Sequence, residues 1–414
     1  MKNLTWQNPE QLFVAQVLIN KVKSKCCGIK VHYGEFTLDY WLEQLISGGI
    51  ELPEYQRSFV WTKEQIKNLI KSIGKDEFIP PVTIGKLNDK NIIIDGQQRL
   101  TSIALAYLNI LPSERKYKKT IKVEGDNEDD ELEEEHYFEW TIKTLRELGT
   151  NLNEIKNALA DNDEYEALGT RWVNDDFLKK HYLGFSYIIP HPDITEDDQH
   201  RFFSTIFRNV NIGGTNLLKT ESRKSLYYLN NAYVPLFSPE FTKSIFVKQF
   251  GADSQPIDFL RLLALVFDYS KNDDSSKVMR GYKTKSEIYY EIFISDAVNP
   301  NSASGILKKM TDVIPTANIE AKMNLLKEEW EKLSMPHELS SIIDVDMYMF
   351  GLIYWVLVKQ KQLNNAKIGD LSTCLNDKIR QFKGNPSHTK SPASLKYLRE
   401  RITASIHAYE NSLM

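Results

Sequence analysis

The stretch DGQQR, residues 95 to 99, follows an apolar run of three isoleucines and combines a carboxylate, two amides and a guanidinium around one glycine. A helix that begins near Gln97 would present unpaired N–H groups and the positive end of its dipole. Gly96 would allow a sharp turn and a close approach of a ligand to the backbone. Together these features indicate a phosphate site, most naturally for a nucleotide.

The other side chains of this stretch have matching chemistry. Arg99 carries a fork of donors suited to phosphate oxygens, and Gln97 and Gln98 can donate to phosphate or position a water. Asp95, at the strand end, could hold Mg²⁺ or a ribose hydroxyl. An N-cap, a turn glycine and a surface ion pair would explain the same residues equally well, so spacing alone leaves both interpretations open.

A second polar cluster lies in YQRSFVW, residues 55 to 61. Tyr55, Phe59 and Trp61 surround Arg57 there, next to the amide of Gln56. Aromatic rings beside arginine and glutamine are suited to stacking on a base and binding a phosphate. For Phe59 and Trp61 we favour the alternative that they are core residues, whereas Gln56 and Arg57 are the better site candidates.

A third stretch, RNVNIGGTNLLKTESR, places a Gly-Gly-Thr loop after a helical pattern whose apolar face begins at Phe202. Glycines expose backbone donors without obstruction by a Cβ atom. The candidate ligand-binding residues of this stretch are Arg208, Asn211, Gly213, Gly214 and Thr215.

The elements that must position these clusters can be read from hydrophobic periodicity and turn residues. Thr62 and Gln65 have the spacing of a capping box at the start of a helix. The order helix, strand, helix, strand, turn, strand, helix predicts a small α+β unit. The predicted helices cover residues 36–47, 63–73 and 100–111, and the predicted extended segments cover 50–53, 82–87 and 91–94.

Taken in order, ELPEYQRSFVW, IIIDGQQRLTSIAL and IFRNVNIGGTNLLKTESR resemble the three signature motifs of the DGQQR family, domain of unknown function 262. This family includes the GmrS half of GmrSD-type restriction enzymes and the N-terminal part of the phosphorothioate-sensing protein SspE. The resemblance covers about residues 36 to 230. It implies a ParB/sulfiredoxin-like mixed-sheet fold for the N-terminal domain, within an α+β protein.

The resemblance also implies an NTP hydrolase, a GTPase or ATPase, that uses a nucleoside triphosphate and Mg²⁺ in anti-phage DNA restriction. Asp95, Gly96, Gln97, Gln98 and Arg99 would then form the phosphate site, with the metal ion held through Asp95. Gln56 and Arg57 would line the same pocket or sense DNA, and the loop from Asn211 to Thr215 would close it.

The bulk composition narrows the function classes. A net charge of −4, from 52 basic and 56 acidic residues, gives no global nucleic-acid footprint, so any DNA contact must be local. The three cysteines lack zinc-site or disulfide spacing, which fits a reducing cytosol, and we expect a cytoplasmic protein. The apolar segment Met347 to Val358 is too short to span a membrane, so we predict a buried core helix.

We predict a nucleotide-binding domain over 1–235, with an acidic and helical insertion at about 112–180, followed by a mainly α-helical domain over 236–414. Many relatives end in an HNH-like nuclease, but His337, His388 and His407 open no such motif here. A separate nuclease or effector is therefore expected.

Local basic residues in the C-terminal part suggest DNA or partner docking, although a solvated helix surface is the commoner meaning. They are Lys378, Arg380, Lys383, Lys390, Lys396 and Arg399.

The leading hypothesis is an NTPase that couples nucleotide turnover to sensing of foreign or modified DNA. Two alternatives remain open. The protein could be a ParB-like DNA-binding module that uses nucleotide without hydrolysing it. It could also be a self-contained DNA nuclease. An oligomer is compatible with either.

Overall fold

The structure is a computed structural model that divides into two compact units. The N-terminal unit lies within segments 15–119 and 136–229, and the C-terminal unit includes segments 120–135 and 230–414. The structure describes residues 30–53, 56–87, 89–124, 132–160, 162–191, 194–195, 199, 202–207, 219–249, 251–282, 285–298 and 314–414.

A five-stranded mixed sheet forms the centre of the N-terminal unit, in the order β1-β9-β3-β4-β2. Strands β1 and β9 and strands β3 and β4 pair antiparallel, whereas β9 with β3 and β4 with β2 pair parallel. Up to residue 117 the elements are β1 (Lys30–Thr37), α1 (Leu38–Ser47), β2 (Ile50–Glu51), α2 (Lys63–Gly74), β3 (Val82–Leu87), β4 (Lys90–Asp95), α3 (Gln97–Leu108), β5 (Ile110–Pro112) and α4 (Glu114–Tyr117).

The chain continues through a separate two-stranded sheet of β6 and β7 and returns to the five-stranded sheet at β9. The elements of this second part are β6 (Lys118–Glu124), β7 (Leu132–Phe138), α5 (Ile142–Arg146), α6 (Leu152–Ala158), β8 (Tyr165–Ala167), α7 (Asp175–Lys180), β9 (Tyr182–Ile189) and α8 (Lys219–Tyr227). Residues 202–207 are also helical.

Strand β4 is buried on both faces of the sheet, which explains its uninterrupted apolar run. Ile93 packs into the core formed with the helices, while Ile92 and Ile94 point to the opposite face. There they meet Phe203 and Phe207 of the helical segment 202–207. Successive side chains of a strand alternate between faces, so a strand covered on both sides needs apolar residues at every position.

The C-terminal unit is mainly helical, with one small three-stranded sheet in the order β11-β10-β12. The apolar segment predicted as a core helix lies in α13 and the π-helical turn Tyr354–Val358, and most of its side chains are buried. The elements are α9 (Val234–Phe237), β10 (Phe246–Val247), β11 (Gln255–Pro256), α10 (Phe259–Tyr269), α11 (Ser286–Val298), α12 (Ile319–Lys332), β12 (Glu338–Leu339), α13 (Ile342–Ile353), α14 (Ile368–Lys383), α15 (Pro386–Lys390) and α16 (Leu395–Glu410).

The predicted α+β class is confirmed, and so are the strands before the DGQQR turn and the helix after it. That helix ends at Leu108 rather than at residue 111, because Asn109 adopts a left-handed φ of 57° and residues 110–112 form β5. The capping box at Thr62 and Gln65 forms as expected at the start of α2. The helix predicted from residue 36 begins at Leu38, because the two preceding residues belong to β1, a strand that the local pattern did not reveal. None of the helices described is long and apolar enough to cross a membrane.

Candidate nucleotide site

A glycine turn joins the last residue of β4 to the first residue of α3. Gly96 has a φ of 98°, in the left-handed region that favours glycine, and a Cβ atom there would lie 3.0 Å from Cγ2 and 3.2 Å from Cα of Val82. As N-cap, Gly96 supplies no side-chain bond to the first turn of α3. The positive end of this helix is therefore left without a capping side chain, as an anion site requires.

Arg99 is held in place at this turn. Its Nη2 atom donates to Oδ2 of Asp95 at 2.6 Å, and its Nη1 atom donates to the carbonyl oxygens of Pro80 and, at 3.3 Å, Pro81. Burial lowers the pKa of Arg99, and the charge of Asp95 opposes this effect. Arg99 thus carries a fixed charge and ties the Pro80–Pro81 loop to the turn, a role of the two proline carbonyls that sequence reasoning missed.

The two glutamines of the turn bind the backbone of the YQRSFVW stretch. Nε2 of Gln97 donates to the carbonyl of Arg57 at 2.9 Å, and Nε2 of Gln98 donates to the carbonyl of Ser58 at 3.0 Å. Oε1 of Gln98 accepts from the N–H of Val60 at 3.0 Å. The structure therefore brings the first two motifs together, and it gives the glutamines positioning contacts besides the ligand roles predicted for them.

Gln56 adds a further bond between the two motifs. Its Nε2 atom donates to the carbonyls of Ile93 and Ile94, at 2.9 and 3.2 Å, near the end of β4. Arg57 is buried, with 9% of its surface exposed. Gln56 thus contacts the strand that leads into the DGQQR turn, and Arg57 contacts the turn through its carbonyl.

The aromatic residues of YQRSFVW belong to the core of the N-terminal unit. Phe59 is buried and packs edge-to-face on Trp140, with ring centroids 5.8 Å apart. Trp61 is partly buried against the same core. The preferred interpretation of these two residues as core residues is confirmed.

One acceptor at the turn is buried without a hydrogen-bond partner. Gln97 is 4% exposed, and its Oε1 atom, unlike its Nε2 atom, has no partner among the residues that the structure describes. Oγ1 of Thr101, one turn further along α3, is also buried and has no hydrogen-bond partner among the described residues. Buried polar atoms are normally paired, so these two atoms mark where a ligand or a water could bind.

Most of the third motif, together with Tyr55, lies outside the described residues. Two parts are described: the helical segment 202–207, which covers the sheet through Phe203 and Phe207, and Lys219 to Arg223, which lie in α8. Six predicted site residues lie outside the described residues: Tyr55, Arg208, Asn211, Gly213, Gly214 and Thr215.

The basic residues predicted for DNA docking lie on α14, α15 and α16 and differ in their surroundings. Lys383 contacts Asp344 at 2.7 Å, and Arg399 donates to the carbonyl of Val278. The side chains of Lys383 and Arg399 therefore bind partners within the C-terminal unit. Three of the others, Lys378, Lys390 and Lys396, are exposed, as is Arg380, which pairs with Asp377.

By its fold, the N-terminal unit is an α+β domain with a glycine-capped helix at the end of a central strand. Residues 41–228 match the family model of the GmrSD restriction endonuclease, N-terminal domain, a range that contains all three motif stretches. This part of the chain is therefore similar to that domain, as the motifs predicted.

Two individual proteins are also similar. An uncharacterized protein of Methanocaldococcus jannaschii is 31% identical over a segment that covers 16% of this chain and 16% of that protein. The chain thus spans less than a fifth of the curated relative's length. A solved Pnob8-like ParB-N domain aligns with 85% of this chain and 98% of its own, at 10% identity and a TM-score of 0.24.

Proposed function

We propose that this protein is the nucleotide-binding and nucleotide-hydrolysing component of an anti-phage DNA restriction system, in which a separate nuclease cuts the DNA. The match of residues 41–228 to the N-terminal domain of a restriction endonuclease supports the restriction role. The observation that carries the nucleotide role is the DGQQR turn. There a helix N-terminus without a side-chain cap lies beside a fixed arginine and a buried amide oxygen that has no partner among the described residues.

In this proposal the first turn of α3 binds the phosphates of the nucleotide, and Arg99 stabilises negative charge on the phosphoryl oxygens during transfer to water. Because Asp95 and the Pro80 carbonyl hold the guanidinium in place, little reorganisation is needed. The Oε1 atom of Gln97 would accept a hydrogen bond from the attacking water or from the ligand.

A magnesium ion fits this turn through one carboxylate. Mg²⁺ in nucleotide sites commonly takes one or two carboxylates, with phosphate oxygens and waters completing the octahedron. Asp95 is one-third exposed and uses Oδ2 for Arg99, which leaves Oδ1 for a metal ion. Within the described residues no group of three or more metal-ligating side chains occurs, so the nucleotide phosphates would supply the other ligands.

The test is phosphate release by the full chain with each nucleoside triphosphate and Mg²⁺. Wild type should release phosphate, and Arg99→Ala should lower the rate by about 100-fold, the usual effect of losing one charge-stabilising donor. Arg146→Ala is a matched control, since Arg146 is also partly buried and donates to the carbonyls of Leu45 and Ile50, away from the turn. Equal losses in both variants would indicate a structural effect only.

A non-hydrolysing, nucleotide-dependent DNA-binding protein is the second candidate. The internal bonds of Gln98 and Arg99 favour it, because side chains occupied in positioning contacts are less available to activate water. Tight nucleotide binding without phosphate release above background would support this candidate against hydrolysis. Specific cleavage of plasmid DNA by the purified chain with Mg²⁺ or Mn²⁺ would instead show an intrinsic nuclease.

A further inference from the structure

A pocket of about 530 Å³ opens within the C-terminal unit, beside the N-terminus of α13. Three lysines from three separate segments line it: Lys122 from β6, Lys383 from the end of α14 and Lys390 from the end of α15. Hydroxyl groups of Ser340, Ser341 and Thr389 also belong to its wall. None of the described residues that line it is acidic.

The carboxylate of Asp344, next to this wall, is already neutralised. Asp344 is buried, lies 2.7 Å from Nζ of Lys383, and accepts hydrogen bonds from the hydroxyls of Ser340 and Ser341 at 3.0 and 2.9 Å. Lys383 also donates to Oγ of Ser340 at 2.7 Å. This network fixes the two serines and Lys383, and it uses the charge of one lysine only.

Lys122 and Lys390 provide the remaining positive charge. Lys390 is exposed, and Lys122 is mostly covered, 3.9 Å from the exposed carboxylate of Glu134. An ion pair of that length with a solvated partner contributes little. The side chain of Ser341 does not cap the first turn of α13, and Asp344 within that turn is paired with Lys383, so the N–H groups of this helix end lack a side-chain cap.

We propose that this pocket binds a phosphate group of the DNA backbone, through Lys122, Lys390 and the first turn of α13. Ammonium and hydroxyl groups together are the usual protein donors to backbone phosphates, and such contacts position DNA without reading its sequence. The choice of DNA rather than a free nucleotide as the ligand rests on the restriction role proposed above. The sequence predicted only a basic surface over residues 378 to 399. The structure adds Lys122, which is distant in sequence, and so defines a particular pocket.

The test is binding of the full chain to a fluorescent DNA duplex, measured by anisotropy over a range of salt concentrations. The variant Lys122→Gln/Lys390→Gln should bind more weakly, and its slope of log K against log salt should be shallower by about 0.9 for each phosphate that the variant no longer neutralises. Lys361→Gln/Lys367→Gln is the matched control, because both lysines are exposed, lie outside the pocket lining and are not among the residues predicted for DNA docking. The control should keep the wild-type slope.

Three outcomes would overturn the proposal. The first is an unchanged slope in the pocket variant, and the second is an equal change in the control, which would indicate general surface charge. The third is no binding of the duplex by wild type. A parallel titration with inorganic phosphate and ATP separates the sources: loss of ATP binding alone in the pocket variant would assign the pocket to free nucleotide. Phosphate release by the DGQQR turn is measured separately, so either idea can fail without the other.

Discussion

Gln98 binds the backbone N–H of Val60 through its side-chain oxygen at 3.0 Å, although the two residues are 38 positions apart in sequence. Together with the bonds from Gln97 to the carbonyl of Arg57 and from Gln98 to that of Ser58, this hydrogen bond fastens the first motif to the second. The amides of the DGQQR turn therefore have a structural function that is separate from any contact with a ligand.

We expect Gln98→Ala to loosen the segment 58–60 at the turn, whereas the bonds of Gln56 and Arg57 remain. Removing the amide leaves the Val60 N–H and the Ser58 carbonyl unpaired, at a cost of about 1–3 kcal/mol, which corresponds to about 5- to 150-fold faster amide exchange. Hydrogen exchange followed by mass spectrometry of a peptide that contains Val60 measures this. Gln362→Ala, at an exposed position of the C-terminal unit, should leave that peptide unchanged, and unaltered exchange in Gln98→Ala would contradict the positioning role.

Gly96→Ala should abolish nucleotide binding and destabilise the N-terminal unit. A Cβ atom would meet Val82 at 3.0 Å, in addition to the cost of about 1–2 kcal/mol for a left-handed alanine. Gly48→Ala is the control, because Gly48 has a φ of 83° and open space around its Cβ position. Urea unfolding should show the larger loss for Gly96→Ala, and nucleotide titration should show a loss only there. Similar nucleotide affinity in both variants would argue against the turn as the binding site.

The ion pair between Asp95 and Arg99 should show measurable coupling in a double-mutant cycle. The variants Asp95→Asn and Arg99→Lys, alone and combined, should give a coupling free energy of roughly 1 kcal/mol, since Arg99 is largely buried and the bond is charge-assisted. The exposed pair Asp176 and Lys180, 3.7 Å apart, should give about 0.3–0.5 kcal/mol in the same urea-unfolding measurement. Coupling no larger than in that pair would mean that Arg99 is not held by Asp95.

His388 should make the stability of the C-terminal unit depend on pH. Burial between the rings of Phe382 and Tyr397 lowers the pKa of His388 below its usual 6.5, against the effect of its hydrogen bond to Glu400. As the pH falls through about 6.5, the unfolded chain takes up a proton before the folded chain does, so stability decreases.

The expected result is a fall in the thermal midpoint of wild type between about pH 7.5 and pH 5.5, the range in which histidines titrate. His388→Phe, which keeps an aromatic ring in the stack, should reduce that fall. His407→Gln changes an exposed histidine of α16 and should leave the fall as in wild type. A pH dependence that is the same in all three proteins would rule out His388 as its source.

Local sequence was sufficient for the elements around the candidate site. The capping box at Thr62, the strands on either side of residue 88 and the start of α3 after Gly96 were all predicted, because each depends on residues within about one turn or one hairpin. The apolar run before Asp95 also indicated a buried strand. The neighbouring motifs then made a nucleotide site the best interpretation of the turn.

The tertiary structure alone decided which groups meet. Strand β1 pairs with β9 from Lys30 and Ile189 onward, a register that no local pattern contains. The partners of Gln97 and Gln98 are backbone atoms, which carry no signature in the sequence. Residues 120–124 and 132–135 belong to the C-terminal unit, where the N–H of Thr120 bonds to Asp253 and Lys122 lines the pocket beside α13. Propensity and periodicity act over a few residues, whereas the contacts that build a site arise only when distant segments pack together.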